Sequence, residues 1–217
     1  MGELIEDPSL RGRRRAFRDR AEAGERMAGL LAGESPEIVL ADPPGGVPVA
    51  LAVCRTLRLV SGVFPSVRIM ATNGETIGGA APGGTHIDRR ASAGLPPREV
   101  RRLRREALAV VRATMSRYAA KIPDVGGSSV LLVVEEADPS AVLAAVRGLR
   151  LAGAARVICG TPSATRSAVL DIVNKVDVLL CPNVRGDAGY SAGDAYSEEE
   201  EISREEALKL WQGFGRA

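Results

Sequence analysis

Two adjacent carboxylates, Glu135 and Glu136, stand between an apolar run and a helix-forming segment. The run covers residues 130–134, and its mostly β-branched side chains predict a strand that is buried on both faces of a parallel sheet. α/β proteins bind their ligands at the carboxyl ends of such strands, where a helix begins. This pair is therefore the first candidate for a ligand site.

Three other groups of residues are candidates for chemistry. Gly45 and Gly46 form a turn before an apolar segment and would let a ligand approach the backbone closely. The single histidine, His86, lies in a glycine-rich stretch, and we expect it to be an exposed structural residue. A cluster of arginines lies at positions 98, 101, 102, 104 and 105, but Glu99 and Glu106 interrupt it. Aromatic residues make up only 3% of the chain, so we expect a solvated helix face and no nucleic-acid partner.

Alternating strand and helix patterns must position these candidates. Strands are predicted at residues 37–41, 67–71, 77–81, 130–134, 156–159 and 178–181. Helices are predicted at residues 20–32, 47–57, 98–118, 139–151, 163–174 and 203–211, with a glycine-rich loop at 82–97. Ser203 and Glu206 predict a capping box at the start of the last helix. Strands that alternate with helices indicate a parallel sheet covered on both faces.

Five segments in order resemble the type I phosphoribosyltransferase family. They are FRDRAEAG at residues 17–24, LADPPGGVPVA at 40–50, Val67-Arg68 followed by Glu75, Ile77 and Gly78, residues 157–162, and residues 193–196 followed by Ser203, Glu205 and Glu206. The resemblance implies a single α/β domain over residues 1–217, with a parallel sheet of about five strands flanked by helices. It also implies a small hood built from the N-terminal segment and about residues 182–217, with residues 1–16 as a flexible or subunit-contacting arm.

The same resemblance implies an activity: transfer of a phosphoribosyl group from phosphoribosyl pyrophosphate (PRPP) to a base or related acceptor, with Mg²⁺. Glu135 and Glu136 would hold the ribose and, indirectly, the Mg²⁺ ion. The remaining expected ligand-binding residues are Ala137, Asp138 and Ser140 after the strand, Pro44, Gly45, Gly46 and Val47 in the pyrophosphate loop, and Arg68.

The loop after the acidic pair departs from the family pattern of glycine and threonine. It contains no glycine, Pro139 lacks an N–H donor, and Asp138 is negative where a phosphate should sit. Asp138 and Pro139 instead predict a helix N-cap and first helical residue, so that the carboxylate occupies the N–H groups which a phosphate needs. A relocated phosphate site would have only the hydroxyl of Ser140.

The pyrophosphate loop departs as well, because Pro44 stands where the family has an arginine and Ile69 where it has a lysine. Losing two cations there could remove several kcal/mol of transition-state stabilisation. Three interpretations stay open. The first is an enzyme whose activity is weak or lost, and the second is a non-catalytic protein of the same fold that binds a nucleotide-like ligand or a partner. The third is a nucleic-acid-linked regulator that uses the arginine-rich helix, against which the low aromatic content argues.

Composition argues against a membrane-spanning or secreted protein. Its 217 residues are 45% hydrophobic and carry a net charge of +2, and no apolar run reaches the length of a membrane span. The basic N-terminus is not followed by the apolar segment of a secretory signal. Cys54, Cys159 and Cys181 lie far apart in apolar segments, which predicts buried free thiols and a cytoplasmic protein. The bias towards arginine and glutamate fits a thermophile or a GC-rich genome, and the apolar and arginine-rich helices suggest a homodimer.

Overall fold

A parallel β-sheet of six strands forms the centre of the computed structural model, which describes residues 2–31, 33–119, 122–186, 191–198 and 201–214. The strands in chain order are β1 (Glu3–Ile5), β2 (Ile38–Ala41), β3 (Val60–Val63), β4 (Val67–Met70), β5 (Thr76–Ala81), β6 (Gly84–Ile87), β7 (Ser129–Val133), β8 (Arg156–Gly160), β9 (Ser163–Thr165), β10 (Val178–Leu180) and β11 (Asn183–Arg185). The helices are α1 (Arg20–Leu30), α2 (Gly46–Leu57), α3 (Pro97–Arg117), α4 (Pro139–Leu151), α5 (Arg166–Val173) and α6 (Arg204–Phe214). The order across the central sheet is β1–β10–β8–β7–β2–β3, and every neighbouring pair is parallel.

Apart from Ser129 at the start of β7 and Arg156 at the start of β8, the central strands consist of apolar residues and glycine, as expected for a sheet with helices on both faces. Along β7, Val130 and Leu132 point to one face, while Leu131 and Val133 point to the other. The first face packs against α4 and α5, and the second packs against α1, α2 and α6. The strand that carries the acidic pair is thus held in the middle of the sheet, and its end is fixed in position.

A second, antiparallel sheet of β4, β5 and β6 lies between α3 and α4. Gly84 in β6 makes close packing possible, because a Cβ there would lie 2.2 Å from the carbonyl oxygen of Ala144 in α4. On the other side of this sheet, Ile69 and Ile77 pack against Leu103 of α3. The sheet therefore places β4 and the first turn of α4 next to one another.

The predicted α/β class with a parallel sheet flanked by helices is confirmed. The predicted helix at residues 139–151 has the bounds of α4, and the capping box of Ser203 and Glu206 is present at α6. The central sheet has six strands, close to the number of about five that was expected. Four of the six were predicted individually, and the short edge strands β1 and β3 were missed. β6 also lies in the predicted glycine-rich loop, and α5 begins three residues later than predicted, since Ser163–Thr165 form β9.

The N-terminal segment, expected to be an arm, contributes β1, which pairs with β10 at the edge of the sheet. Farther along, Phe17 packs on Tyr196, and its backbone N–H donates to the carbonyl oxygen of Ala195 at 3.0 Å. This contact brings together the two segments from which a hood was predicted. The division of the chain into one domain with a hood stays a prediction.

All three cysteines are free and buried, as predicted. Burial raises the pKa of the thiols of Cys54, Cys159 and Cys181 to about 12 in each case. In the described part of the chain, no helix combines the length and the apolar character needed to cross a bilayer.

Candidate functional site

A cleft of about 380 Å³ opens at the carboxyl ends of β2 and β7. Its walls come from residues 42–46 after β2, residues 66–68 around the start of β4, and the loop between β7 and α4. Glu201 and Arg204 near the start of α6 line its remaining side. The sheet therefore brings the predicted glycine turn, Arg68 and the acidic pair to one place.

The helix start beside the cleft is capped by its own side chain. Asp138 is the N-cap of α4, and its Oδ1 accepts a hydrogen bond of 2.9 Å from the backbone N–H of Ala141. Pro139 occupies the first helical position, where it supplies no N–H group. The predicted cap is therefore present, and a carboxylate lies where an anion would otherwise meet the end of the helix.

Replacing Asp138 with alanine should lower the free energy of unfolding by about 1 kcal/mol, the usual contribution of an N-cap. Ser140→Ala is the matched control, because this side chain lies two residues farther into the same helix and should contribute less than about 0.5 kcal/mol. Urea denaturation of the two variants measures the difference. Equal losses for the two variants would show that Asp138 does not cap α4.

Glu135 forms a largely buried ion pair with Arg20, and the side chains are 17% and 3% exposed. The Nε of Arg20 donates to Oε1 of Glu135 at 2.6 Å, and its guanidinium lies 4.7 Å from the ring centre of Tyr196. The carboxylate also packs on the glycine turn, since a Cβ on Gly45 would lie 1.6 Å from Oε2 of Glu135. Gly45 is thus needed to admit Glu135, and this carboxylate is held by the protein itself.

Glu136 points outwards and faces Arg68. The Nη1 of Arg68 lies 3.6 Å from Oε1 of Glu136 and 3.9 Å from Oδ2 of Asp138. Arg68 is 47% exposed and Glu136 is 67% exposed, so each of these pairs contributes at most about 1 kcal/mol to stability. The charge of Arg68 is already balanced by these two carboxylates of the cleft.

Asp42 lies half-buried at the base of the cleft and accepts two hydrogen bonds from Ser66. The backbone N–H of Ser66 donates to Oδ1 at 2.9 Å, and its hydroxyl donates to Oδ2. Burial raises the pKa of Asp42 to about 7, although both hydrogen bonds from Ser66 act in the opposite direction. Near neutral pH this carboxyl group is therefore protonated in about half of the molecules.

Not every predicted site residue reaches the cleft. Val47 is fully buried and Ala137 is 8% exposed, and both belong to the hydrophobic core. Ser140 packs against β5, since a Cβ on Gly79 would lie 2.1 Å from the carbonyl oxygen of Ser140. The remaining residues predicted for the site all line the cleft. They are Pro44, Gly45, Gly46, Arg68, Glu135, Glu136 and Asp138.

Arg20, Ser66 and Arg204 were not predicted as site residues. Arg20 belongs to the FRDRAEAG segment that supported the family resemblance, and this was the available signal for it. Arg204 lies between Ser203 and Glu205 of the fifth matching segment, which was a signal of the same kind. Ser66 had no such signal, because its place in the cleft depends on how the start of β4 packs.

The acidic pair does not fit a magnesium ion held by both carboxylates. Glu135 is paired with Arg20, and Glu136 turns towards Arg68. Among the residues that the structure describes, no three His, Cys, Asp or Glu side chains are grouped so that they could hold a metal ion. The dependence on Mg²⁺ stays a prediction from the resemblance.

Comparison with known proteins gives one negative result and three similar structures. No protein-family model matches the chain. Its fold is similar to that of TT1426 from Thermus thermophilus, with 26% sequence identity over 91% of this chain and 98% of that chain and a TM-score of 0.77. It is also similar to a purine phosphoribosyltransferase from Pyrococcus horikoshii, with 13% identity over 76% and 85% of the chains and a TM-score of 0.44. APRTase from Giardia lamblia complexed with 9-deazaadenine is 9% identical over 77% and 80% of the chains, with a TM-score of 0.48.

Proposed function

We propose that this chain is a phosphoribosyltransferase-like protein that no longer transfers phosphoribosyl groups and binds an uncharged, nucleoside-like ligand in the cleft. The observation that supports this most directly is the carboxylate of Asp138 on the first turn of α4. Phosphate binding at a helix N-terminus needs unpaired N–H groups and tolerates no competing anion. Here the protein satisfies the helix end itself.

The charges of the cleft argue in the same direction. Its walls contain five carboxyl groups and two guanidinium groups, so the site is acidic even when Asp42 is protonated. At an effective dielectric constant of about 20, two like charges about 5 Å apart repel each other by about 3 kcal/mol. A ligand with a phosphate and a pyrophosphate would meet several such repulsions, whereas a neutral ligand would meet none.

The remaining polar groups suit the hydroxyl groups of a sugar. The exposed Glu136 can accept hydrogen bonds, and Arg68 beside it can donate them. Gly45 and Gly46 have no side chains to fill the opposite side of the cleft, so a ligand can approach the backbone there. The volume of about 380 Å³ accommodates a ligand of the size of a nucleoside. Glu135 would support the wall instead of holding the ribose, because it is occupied by Arg20.

The alternative is a PRPP-dependent transferase with Mg²⁺, and the resemblance of the five sequence segments favours it. Its reaction would need cations for the departing pyrophosphate. Pro44 and Ile69 supply none, Arg68 is shared with Glu136 and Asp138, and Arg204 is the other cation among the residues that line the cleft. The geometry therefore gives the binding function the better support.

Calorimetric titration of the protein with PRPP and Mg²⁺, and separately with a set of neutral nucleosides, tests the proposal. A ligand at about a hundred times its Kd should stabilise the fold by about 2.7 kcal/mol, which a thermal-shift measurement detects independently. We expect a nucleoside to stabilise the protein and PRPP to have no effect at millimolar concentration. Stabilisation by PRPP and Mg²⁺ would favour the transferase, and a lack of response to every nucleoside would contradict the ligand class.

A further inference from the structure

Positive charge is concentrated on α3, far out of proportion to the rest of the chain. The segment 97–117 contains seven arginines and two glutamates, a net charge of +5. The whole chain carries 29 basic and 27 acidic residues, so the other residues have 22 basic and 25 acidic side chains, a net charge of −3. The molecule is therefore electrostatically polarised, with α3 on its positive side.

Four of these arginines form a stripe along the solvent side of α3. Arg98, Arg101, Arg105 and Arg112 are separated by three, four and seven residues, which places them on one face of the helix, and all four are exposed. At about 1.5 Å per residue the stripe is about 21 Å long. Within the described part of the chain, none of the four is paired with a carboxylate.

The two glutamates of α3 do not interrupt this stripe in space. Glu99 and Glu106 lie on one flank of the helix, where both face Arg102 at 3.8 and 2.8 Å. They neutralise that single arginine and, in the part of the chain that the structure describes, leave the stripe without carboxylate partners. The expectation of a solvated face rested on the interruption by Glu99 and Glu106 and on the low aromatic content of the chain. The helical arrangement removes the first of these two reasons.

The opposite side of α3 is fixed to the protein. Leu103, Ala107 and Val111 are buried against the small sheet of β4 and β5. The arginine stripe thus lies on the outer side of a helix whose middle is packed against the protein. A row of cations on a helix fixed in this way can face a row of anions.

We propose that the outer face of α3 is a docking surface for the phosphate backbone of a double-stranded nucleic acid. No Phe, Tyr or Trp occurs between Phe64 and Tyr118, so the surface offers nothing on which unpaired bases could stack. Leu103, Ala107 and Val111 are buried and Val110 is the one large apolar side chain of α3 that is exposed, so this helix presents no continuous apolar face to a lipid bilayer. Duplex DNA presents one phosphate charge per about 1.7 Å of its axis, so a row of four cations about 21 Å long meets phosphates at any position along the duplex and requires no sequence readout.

Fluorescence anisotropy with a labelled DNA duplex of about 20 base pairs tests this proposal. Four phosphate contacts predict a slope of about −3.6 for log K against log salt, equivalent to an affinity loss of about a hundredfold between about 50 and about 200 mM salt. A variant with Arg98, Arg101, Arg105 and Arg112 all replaced by glutamine should lose this salt-dependent binding. The matched control with lysine at the same four positions keeps the charges and should retain it.

Circular dichroism and thermal unfolding of both variants show whether the fold is intact. We expect that it is, because the four side chains have no partners in the described structure. Equal affinity of the glutamine variant and the original protein for the duplex would overturn the proposal. So would a slope shallower than about −1. Equally tight binding to single strands, or binding to anionic vesicles in place of the duplex, would also overturn it and assign the surface to a different partner.

Discussion

Replacing Glu135 with glutamine should lower the free energy of unfolding by about 3 kcal/mol. The substitution keeps the shape of the side chain and removes the negative charge that lies 2.6 Å from the Nε of Arg20, whose side chain is 3% exposed. Removing one charge of a buried pair is costly because the other charge stays out of water. Chemical denaturation at neutral pH measures the loss directly.

The neighbouring residue provides the control. Glu136→Gln makes the same chemical change at a side chain that is 67% exposed, so its effect should stay below about 0.5 kcal/mol. A double variant with methionine at both Arg20 and Glu135 should recover part of the stability, because hydrophobic replacement of a buried pair is often nearly neutral. Equal, small losses for Glu135→Gln and Glu136→Gln would mean that Glu135 is not structural and is available to hold a ribose.

The fold was easier to predict than the partner of Glu135. The strand β7 and the helix α4 follow from local patterns: a run of buried apolar residues, and aspartate and proline at the helix start. The partner of Glu135 is 115 residues away along the chain, and no local pattern pairs them. The acidic pair looked like one unit in the sequence, but the sheet directs Glu135 inwards and Glu136 outwards.

The missed strands have a similar explanation. β1 and β3 are short edge strands, and Val60 in β3 is 62% exposed, so neither strand has a strong burial pattern. Glycine in β6 predicted a loop because glycine weakens a strand in isolation. In the folded protein Gly84 is required, since the missing side chain lets β6 lie against α4. Packing between distant elements decides these cases, and the sequence pattern does not contain it.

Replacing Asp42 with asparagine should raise the free energy of unfolding above neutral pH by about 2 to 4 kcal/mol and flatten its pH dependence. The pKa of Asp42 is raised by burial from 3.8 to about 7 in the folded protein. Between these two values the folded state holds a proton that the unfolded state has lost, so the stability of the original protein falls as pH rises from about 4 to about 7. Asparagine has no proton to lose, and it can still accept the hydrogen bond from the N–H of Ser66.

Thermal or urea unfolding of both proteins between about pH 4 and about pH 8 checks this result, with Asp171→Asn as the control. Asp171 is an exposed carboxylate on α5, and its replacement should leave the pH dependence unchanged. Parallel curves for the original protein and Asp42→Asn would mean that water reaches Asp42 and that it stays ionised. The base of the cleft would then carry a full negative charge next to the glycine turn, and the repulsion of a phosphorylated ligand would be stronger still. A converging pair of curves at low pH would instead show that the cleft loses part of its negative charge on acidification, so any residual affinity for phosphate should increase in the same pH range.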